Sequence, residues 1–200
     1  MGPIYLTAVV GAGPGFDWYE EFSDDTPIIH QSLAALPWDP PWPWYPTHVP
    51  HWGLAKDGTH PRIWYAGIPK GQERIIFAKL VRAIGRNQGL LSPLARDLAC
   101  QISGPVRVAV LTTPNCPRCA EMVRVVHAMA LLSAQLYSTA IMLEDIPDLI
   151  GTLSLNRVPV LFINQRRHEG AMNEWIVAQM IRDAATTTVM EPGRAPEKSW

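Results

Sequence analysis

The sequence contains little cysteine, with three residues among 200. Cys116 and Cys119 form the single Cys-X-X-Cys pair, and Cys100 is left over. A structural zinc site needs four ligands, so this pair supplies half of them, and His127 and His168 are distant candidates for the rest. His127 falls three turns along the predicted helix from Cys116 and cannot share a metal with it. We therefore expect no metal site.

The sequence also lacks a long apolar run. No segment is long and apolar enough to span a membrane. The first six residues carry neither the basic region nor the apolar core of a secretory signal. We therefore expect a cytoplasmic protein, and in that compartment a Cys-X-X-Cys pair is more often redox-active or metal-binding than structural.

Neither sign of charge is in excess. The chain has 17 Lys and Arg against 18 Asp and Glu, which gives a formal net charge of −1. A basic excess is the usual mark of a chain that binds nucleic acid. The charge balance therefore gives no reason to expect a nucleic-acid partner.

Proline and tryptophan, by contrast, are abundant, with 19 and 8 residues. Residues 37–46 concentrate both types in the run PWDPPWPWYP. Proline at this density removes backbone donors and excludes a helix or a central strand, so the tract predicts an extended arm with aromatic faces. Two interpretations stay open: a rigid linker that covers an apolar edge, or an arm that docks a stable protein partner.

The first half of the chain divides into a predicted Pro/Trp-rich arm at 1–46 and a partial unit at 47–104. The arm has a strand candidate at 4–10, a glycine run at 11–15 and a short apolar piece at 28–36. The glycine run does not fit a dinucleotide-binding loop, because residue 16 is Phe and no long helix follows. In the partial unit we predict two strands, at 52–55 and 62–66, that form a hairpin joined at Asp57-Gly58. Helices at 70–85 and 93–102 are predicted to follow. Cys100 is expected to pack inside the second helix as a small apolar residue.

The second half predicts a complete unit at 105–186 and a polar tail at 187–200. Its predicted elements are, in order, a strand at 106–111, a helix at 117–133, a strand at 138–143, a helix at 147–153, strands at 160–163 and 167–170, and a helix at 173–184. This βαβαββα order is that of a thioredoxin domain.

The Cys-Pro-Arg-Cys motif falls at the start of the helix predicted at 117–133. Backbone N–H groups and the helix dipole at that position favour a thiolate on Cys116, and Arg118 adds a positive charge. We assign Cys116 as the nucleophile and Cys119 as the resolving thiol, with Pro117 and Arg118 as supporting residues. An iron–sulfur cluster held between two chains by a single cysteine stays open, and otherwise we expect no cofactor.

Several segments resemble a known family. The segments are VRV at 106–108, TPNCPRC at 113–119, RVP at 157–159, IN at 163–164 and EGA at 169–171. They are similar to the C-terminal unit of the two-unit protein disulfide oxidoreductases and, more distantly, to glutaredoxins and to the thioredoxin-like front domain of the alkyl hydroperoxide reductase flavoprotein. Residues 62–73 are similar to the end of that family's N-terminal unit, and Val49-Pro50 falls where that unit has an X-Pro before a strand.

The resemblance implies an α/β thioredoxin-like fold, in which a degenerate half unit without a Cys-X-X-Cys pair precedes the complete unit. It implies that the Val158–Pro159 bond is cis, so that Val158 presents its backbone beside the cysteines. The implied function is thiol–disulfide exchange with a protein disulfide or dithiol, with electrons from a flavoprotein reductase or another dithiol. A second class stays open: a non-enzymatic assembly subunit docked through residues 37–46, whose cysteine pair is regulatory or vestigial.

Overall fold

The strands of this chain join in one sheet. The computed structural model describes residues 4–9, 28–33, 35–37, 39–56 and 60–186. The strands are β1 (Ile4–Val9), β2 (Ile28–Leu33), β3 (His51–Ala55), β4 (Ile63–Ala66), β5 (Val106–Thr112), β6 (Leu136–Met142), β7 (Val160–Ile163) and β8 (Arg166–Glu169). The helices are α1 (Gln72–Arg86), α2 (Pro93–Cys100), α3 (Pro117–Leu132), α4 (Asp148–Thr152) and α5 (Glu174–Thr186), with a 3₁₀ turn at Leu143–Asp145.

The sheet repeats one strand order twice. The order of strands across the sheet is β2-β1-β3-β4-β6-β5-β7-β8. Within each half of four strands, the order is therefore second, first, third and fourth. In both halves the first two strands are parallel, and the remaining pairs are antiparallel. The halves meet where β4 and β6 pair in parallel. The chain is therefore a tandem of two units with the same strand topology.

The same corner follows the fourth strand in the first unit and in the second. The Gly67 N–H donates to the Pro50 carbonyl at 2.8 Å, and the Gly170 N–H donates to the Pro159 carbonyl at 2.9 Å. The two glycines have φ values of 92° and 88°. Glycine adopts this region without the steric cost that other residues incur. The repetition therefore extends from strand order to single backbone hydrogen bonds.

The thioredoxin-like fold class is confirmed, and every predicted helix and β3 to β8 lie within two residues of their expected bounds. The first unit is more complete than the sequence suggested. Its sheet also contains β1 and β2, which come from the segment assigned to the arm. The strand β2 was expected only as an apolar piece, since Gln31 and Ser32 interrupt its apolar pattern. The domain boundary at residue 46 stays a prediction, and the sheet crosses it.

Some predicted features lie outside the described residues. They are the glycine run at 11–15, the Asp57-Gly58 turn and the tail at 187–200. The strands on either side of that turn do pair as an antiparallel hairpin, with Trp52 opposite Tyr65.

Apolar side chains are buried on both faces of the sheet. One face carries the larger core, formed with α1, α2, α3 and α5 and including Trp52, Tyr65 and Phe77. The other face carries a smaller cluster that includes Trp42 and Phe162. Each large apolar side chain buried in this way contributes about 1.5–3 kcal/mol to folding.

The Pro/Trp tract lies over this smaller cluster. The Trp42 indole N–H donates to the Asn164 carbonyl at 2.6 Å, and the Gln165 amide donates to the Pro41 carbonyl at 2.8 Å. The ring of Trp44 lies 4.6 Å from that of Phe162. The interpretation of the tract as a segment that covers an apolar surface is therefore supported, and the surface that Trp42 and Trp44 contact belongs to the second unit.

Among the helices that the structure describes, none has both the length and the apolar character that crossing a membrane requires.

Candidate active site

The two cysteines of the Cys-Pro-Arg-Cys motif form a disulfide at the start of α3. Cys116 and Cys119 are bonded, with their Cα atoms 5.2 Å apart. Cys116 is the N-cap of the helix, and its Sγ accepts the Cys119 N–H at 3.2 Å. Pro117 occupies the first helical position, where no backbone N–H is needed. The predicted position of the motif at a helix N-terminus is confirmed.

The side chains of the two cysteines differ in solvent exposure. Cys116 is half-buried, whereas the side chain of Cys119 is fully buried. Pro117 and Arg118 are exposed beside them. Cys116 is therefore the more accessible of the two cysteines.

The Val158–Pro159 bond is cis, as the resemblance implied. Pro159 is buried directly before β7, and Val158 is half-buried. The strand β7 pairs with β5, the strand that leads into the cysteine loop. The cis proline therefore directly precedes the strand that pairs with β5, and β5 leads into the cysteine loop.

A buried carboxylic acid from the first unit contacts the base of the cysteine loop. Glu73, in the first turn of α1, accepts a hydrogen bond from the hydroxyl of Thr112, the last residue of β5. Both residues are fully buried. Burial raises the pKa of Glu73 to about 7, and the Thr112 hydrogen bond opposes this with a smaller effect. The second carboxylate oxygen has no partner among the described residues.

The start of α1 also contacts the loop itself. The Gln72 N–H donates to the Pro114 carbonyl at 2.9 Å, two residues before Cys116. Gly71 has φ of 54°, and a Cβ added there would lie 2.3 Å from the same carbonyl oxygen. Only glycine fits such an approach. The first unit therefore holds the loop between β5 and α3 at two points.

A salt bridge fixes the segment that precedes α1. Lys70 Nζ lies 2.8 Å from one carboxylate oxygen of Asp145, and the Ile68 N–H donates to the other at 2.8 Å. The hydrogen bond to Asp145 raises the pKa of Lys70, so the ammonium stays charged. Residues 68–70 are thereby tied to the 3₁₀ turn of the second unit.

Glu73, Gly71 and Thr112 were not predicted from the sequence as site residues. One signal was present: Glu73 interrupts the apolar face of α1 three residues before Ile76. A carboxylate on the apolar face of a helix has to be paired or neutral. The contacts to the second unit, in contrast, leave no local mark in the sequence.

The prediction for Cys100 was wrong, since its side chain is exposed. The helix α2 buries Ala95, Leu98 and Ala99. The next residue lies about 100° further round a helix of 3.6 residues per turn, so Cys100 leaves the buried face.

His127 is buried in the core. Its Nδ1 lies 2.8 Å from the Ser138 hydroxyl, and burial lowers its pKa to about 3, so the ring is neutral. Among the described residues no three His, Cys, Asp or Glu side chains lie close enough together to hold a metal ion.

The fold and the dithiol at the start of α3 define a thioredoxin-like architecture of two joined units. Solved structures with this fold cover nearly the whole chain. The alkylhydroperoxide reductase AhpF of Enterococcus faecalis is 14% identical with a TM-score of 0.73, over 90% of this chain and 91% of that one. A protein disulfide oxidoreductase from Aeropyrum pernix is 15% identical with a TM-score of 0.69, over 92% and 87%.

A protein from Sulfolobus solfataricus is 18% identical with a TM-score of 0.63, over 82% of this chain and 88% of that one. No family model matches the chain, and no curated protein matches it. At these identities the likeness shows the fold. The resemblance expected from residues 62–73 and 105–184 is confirmed at that level.

Proposed function

We propose that this chain is a thiol–disulfide oxidoreductase that exchanges electrons with a protein partner through Cys116 and Cys119. The observation that carries the proposal is the hydrogen bond from the Cys119 N–H to the Cys116 sulfur at the N-terminus of α3. An N–H donor and the positive end of the helix dipole both stabilise negative charge on that sulfur. A stabilised thiolate is what disulfide exchange requires.

The half-exposed Cys116 is the proposed nucleophile. Its thiolate attacks one sulfur of a target disulfide, a Cys116–target bond forms, and the target's S–S bond breaks. The thiolate that leaves the target takes up a proton. Cys119 then loses its proton and attacks the Cys116 sulfur, which releases the second target thiolate. Two electrons pass to the target, and the Cys116–Cys119 disulfide remains.

Electrons return to the disulfide from a second partner in the same proposal. A flavoprotein reductase or another dithiol would reduce it by the reverse sequence of exchanges, in the cytoplasm, where thiols are kept reduced. The chain has no cysteine before position 100, so the first unit offers no second pair for an internal relay. Cys116 then exchanges with partner molecules directly.

The first unit has a structural role in this proposal. Its α1 holds the strand before the motif through Glu73 and the loop through Gln72. A rigid loop keeps the Cys116 sulfur at the helix N-terminus, where the thiolate is stabilised. The unit without cysteines thereby supports the one that has them.

The alternative of a non-enzymatic assembly subunit depended on a docking arm at 37–46. Trp42 and Tyr45 are 3% and 6% exposed and pack within the chain, so they are not available to a partner. Pro43 is exposed, and Trp44 is half-buried. The buried aromatic residues therefore favour the oxidoreductase over the assembly role.

Reduction of insulin disulfides tests the proposal. We expect Cys116→Ser to lose all activity and Cys119→Ser to accumulate a mixed disulfide with the target, because it cannot resolve one. The matched control is Cys100→Ser, whose exposed thiol lies outside the motif and which should retain wild-type activity. Full activity in the Cys116→Ser variant would exclude the mechanism.

A further inference from the structure

A cavity of about 270 Å³ lies at the far end of α3 from the cysteines. The hairpin of β3 and β4 and the C-terminal ends of α1 and α3 enclose it. Along α3, its closest lining residue, Ala130, is about 20 Å from Cys116 at a rise of 1.5 Å per residue. The apolar part of its wall consists of Leu54, Ile63, Ile84, Ala130, Leu131 and Leu132.

The described residues that line this cavity include basic side chains and no acidic ones. Lys56, His60, Arg62 and Arg96 line it, and none of the described lining residues is Asp or Glu. In the described part of the chain, none of these basic side chains forms an ion pair with a carboxylate. An apolar cavity with unpaired basic groups fits an anionic ligand.

Two helix C-termini also face the cavity, and their negative partial charges oppose the positive charge of the basic side chains. Each contributes a negative charge of about one half. Lys56, Arg62 and Arg96 contribute three positive charges. The positive charge therefore exceeds the helix contribution of about one.

Hydrogen bonds hold two of the cations in place. Arg62 Nε donates to the Ala130 carbonyl at 3.2 Å, and Lys56 Nζ donates to the side-chain oxygen of Asn87 at 3.1 Å. Each interaction uses one donor of its side chain, whereas a guanidinium has five N–H groups and an ammonium has three. Donors therefore remain for a ligand.

A smaller apolar slot of about 40 Å³ shares Arg96, Leu131 and Leu132 with the cavity. Leu90 and Leu91 form its other side. The slot extends the apolar wall of the cavity beside Arg96. The main cavity is close to the lower end of the range for small-molecule sites, about 300–1,000 Å³, so the ligand is small.

We propose that this cavity binds a small organic anion, with a carboxylate, sulfonate or phosphate group on an apolar or aromatic body. Binding there is independent of the dithiol chemistry. The Cys116→Ser variant should therefore bind the same anion as the wild-type protein does.

The probe is 8-anilinonaphthalene-1-sulfonate, which carries a sulfonate on an aromatic body and fluoresces in apolar surroundings. We expect one site per oxidised full-length chain. Octanoate should displace the probe, whereas 1-octanol, which has the same chain length without the charge, should not. Equal displacement by the two would overturn the proposal, because it would show that the cavity binds apolar chains without regard to charge.

Two variants locate the site. Arg96→Gln, at an exposed position, should weaken probe binding roughly tenfold or more, the effect of losing a hydrogen bond to a charged group. Leu132→Glu, at a 40% exposed position, should abolish binding by placing a carboxylate at the slot. The matched control is Arg166→Gln, on β8, which removes the same charge away from the cavity.

Thermal melting of each variant, followed by circular dichroism, shows that the fold is intact. Wild-type affinity in both Arg96→Gln and Leu132→Glu would refute the site. Equal weakening in Arg166→Gln would also refute it, because binding would then follow net charge alone.

Discussion

The buried carboxyl group of Glu73 makes the stability of the protein depend on pH. Its pKa is raised from 4.5 to about 7 by burial. Below pH 4.5 the group is neutral in the folded and the unfolded chain. As the pH rises from 4.5 to 7 the unfolded chain loses the proton first, so stability falls, and above pH 7 the full cost is present.

The size of this effect follows from the difference in pKa. At about 1.4 kcal/mol per pKa unit, it corresponds to about 3 kcal/mol. Glu73→Gln removes the ionisation and keeps an oxygen that can accept the Thr112 hydroxyl. The wild-type protein should therefore lose about 3 kcal/mol relative to the variant between pH 4.5 and pH 8.

Urea unfolding of the oxidised protein at pH 4.5, 6, 7 and 8, followed by circular dichroism, gives the free energies. The quantity to compare is the difference in unfolding free energy between the wild-type protein and Glu73→Gln. His51 and His127 titrate in both proteins, so their contributions cancel in this difference. Burial lowers the pKa of His51 to about 4, so its contribution to stability is lost as the pH falls below 6.5.

The control is Glu121→Gln. The Arg124 hydrogen bond lowers the pKa of Glu121, so its contribution is constant above pH 4.5. The difference in unfolding free energy between the wild-type protein and Glu73→Gln could instead stay constant across these pH values, within about 0.5 kcal/mol. That result would refute the assignment of Glu73 as a buried acid without a second partner.

Three further predictions concern the loop, the motif and the tract. Gly71→Ala should lower the free energy of unfolding by about 1–2 kcal/mol or more and slow insulin reduction, because the new Cβ displaces Pro114; Gly89→Ala, in open space, should do neither. Arg118→Ala should make the dithiol less oxidising by about 10–20 mV in equilibrium with glutathione, and an unchanged or higher potential would contradict the role of this charge. Trp42→Ala should cost about 3–5 kcal/mol in urea unfolding, and a loss below 1 kcal/mol, roughly the cost of an ordinary substitution, would show that the tract does not stabilise the sheet.

Much of the second unit could be predicted because its signals are local. The β-branched run at 106–111 predicts a strand, and the apolar spacing over 117–133 predicts a helix. A cysteine followed by a proline at the start of this helix then places the Cys-X-X-Cys pair at the helix N-terminus. Strand and helix periods and capping depend on neighbours within a few residues, so one sequence carries them.

The first unit was harder to predict because its strands depend on distant partners. The strand β2 has a weak apolar pattern of its own, and it is defined by parallel pairing with β1, 24 residues before it. The free energy of such a strand comes from its neighbours in the sheet. The exposure of Cys100 was also decided by packing, since α2 has to present Ala99 to the core.

The sequence by itself determined the dithiol, its place at a helix N-terminus and the thioredoxin-like order of elements. The tertiary structure alone decided what surrounds the dithiol. Glu73 meets Thr112 from 39 residues away, and the cations at 56, 62 and 96 meet in one cavity. These groups have no common pattern along the chain. The raised pKa of Glu73 arises from burial, and the cavity arises from side chains that only the packed fold brings together.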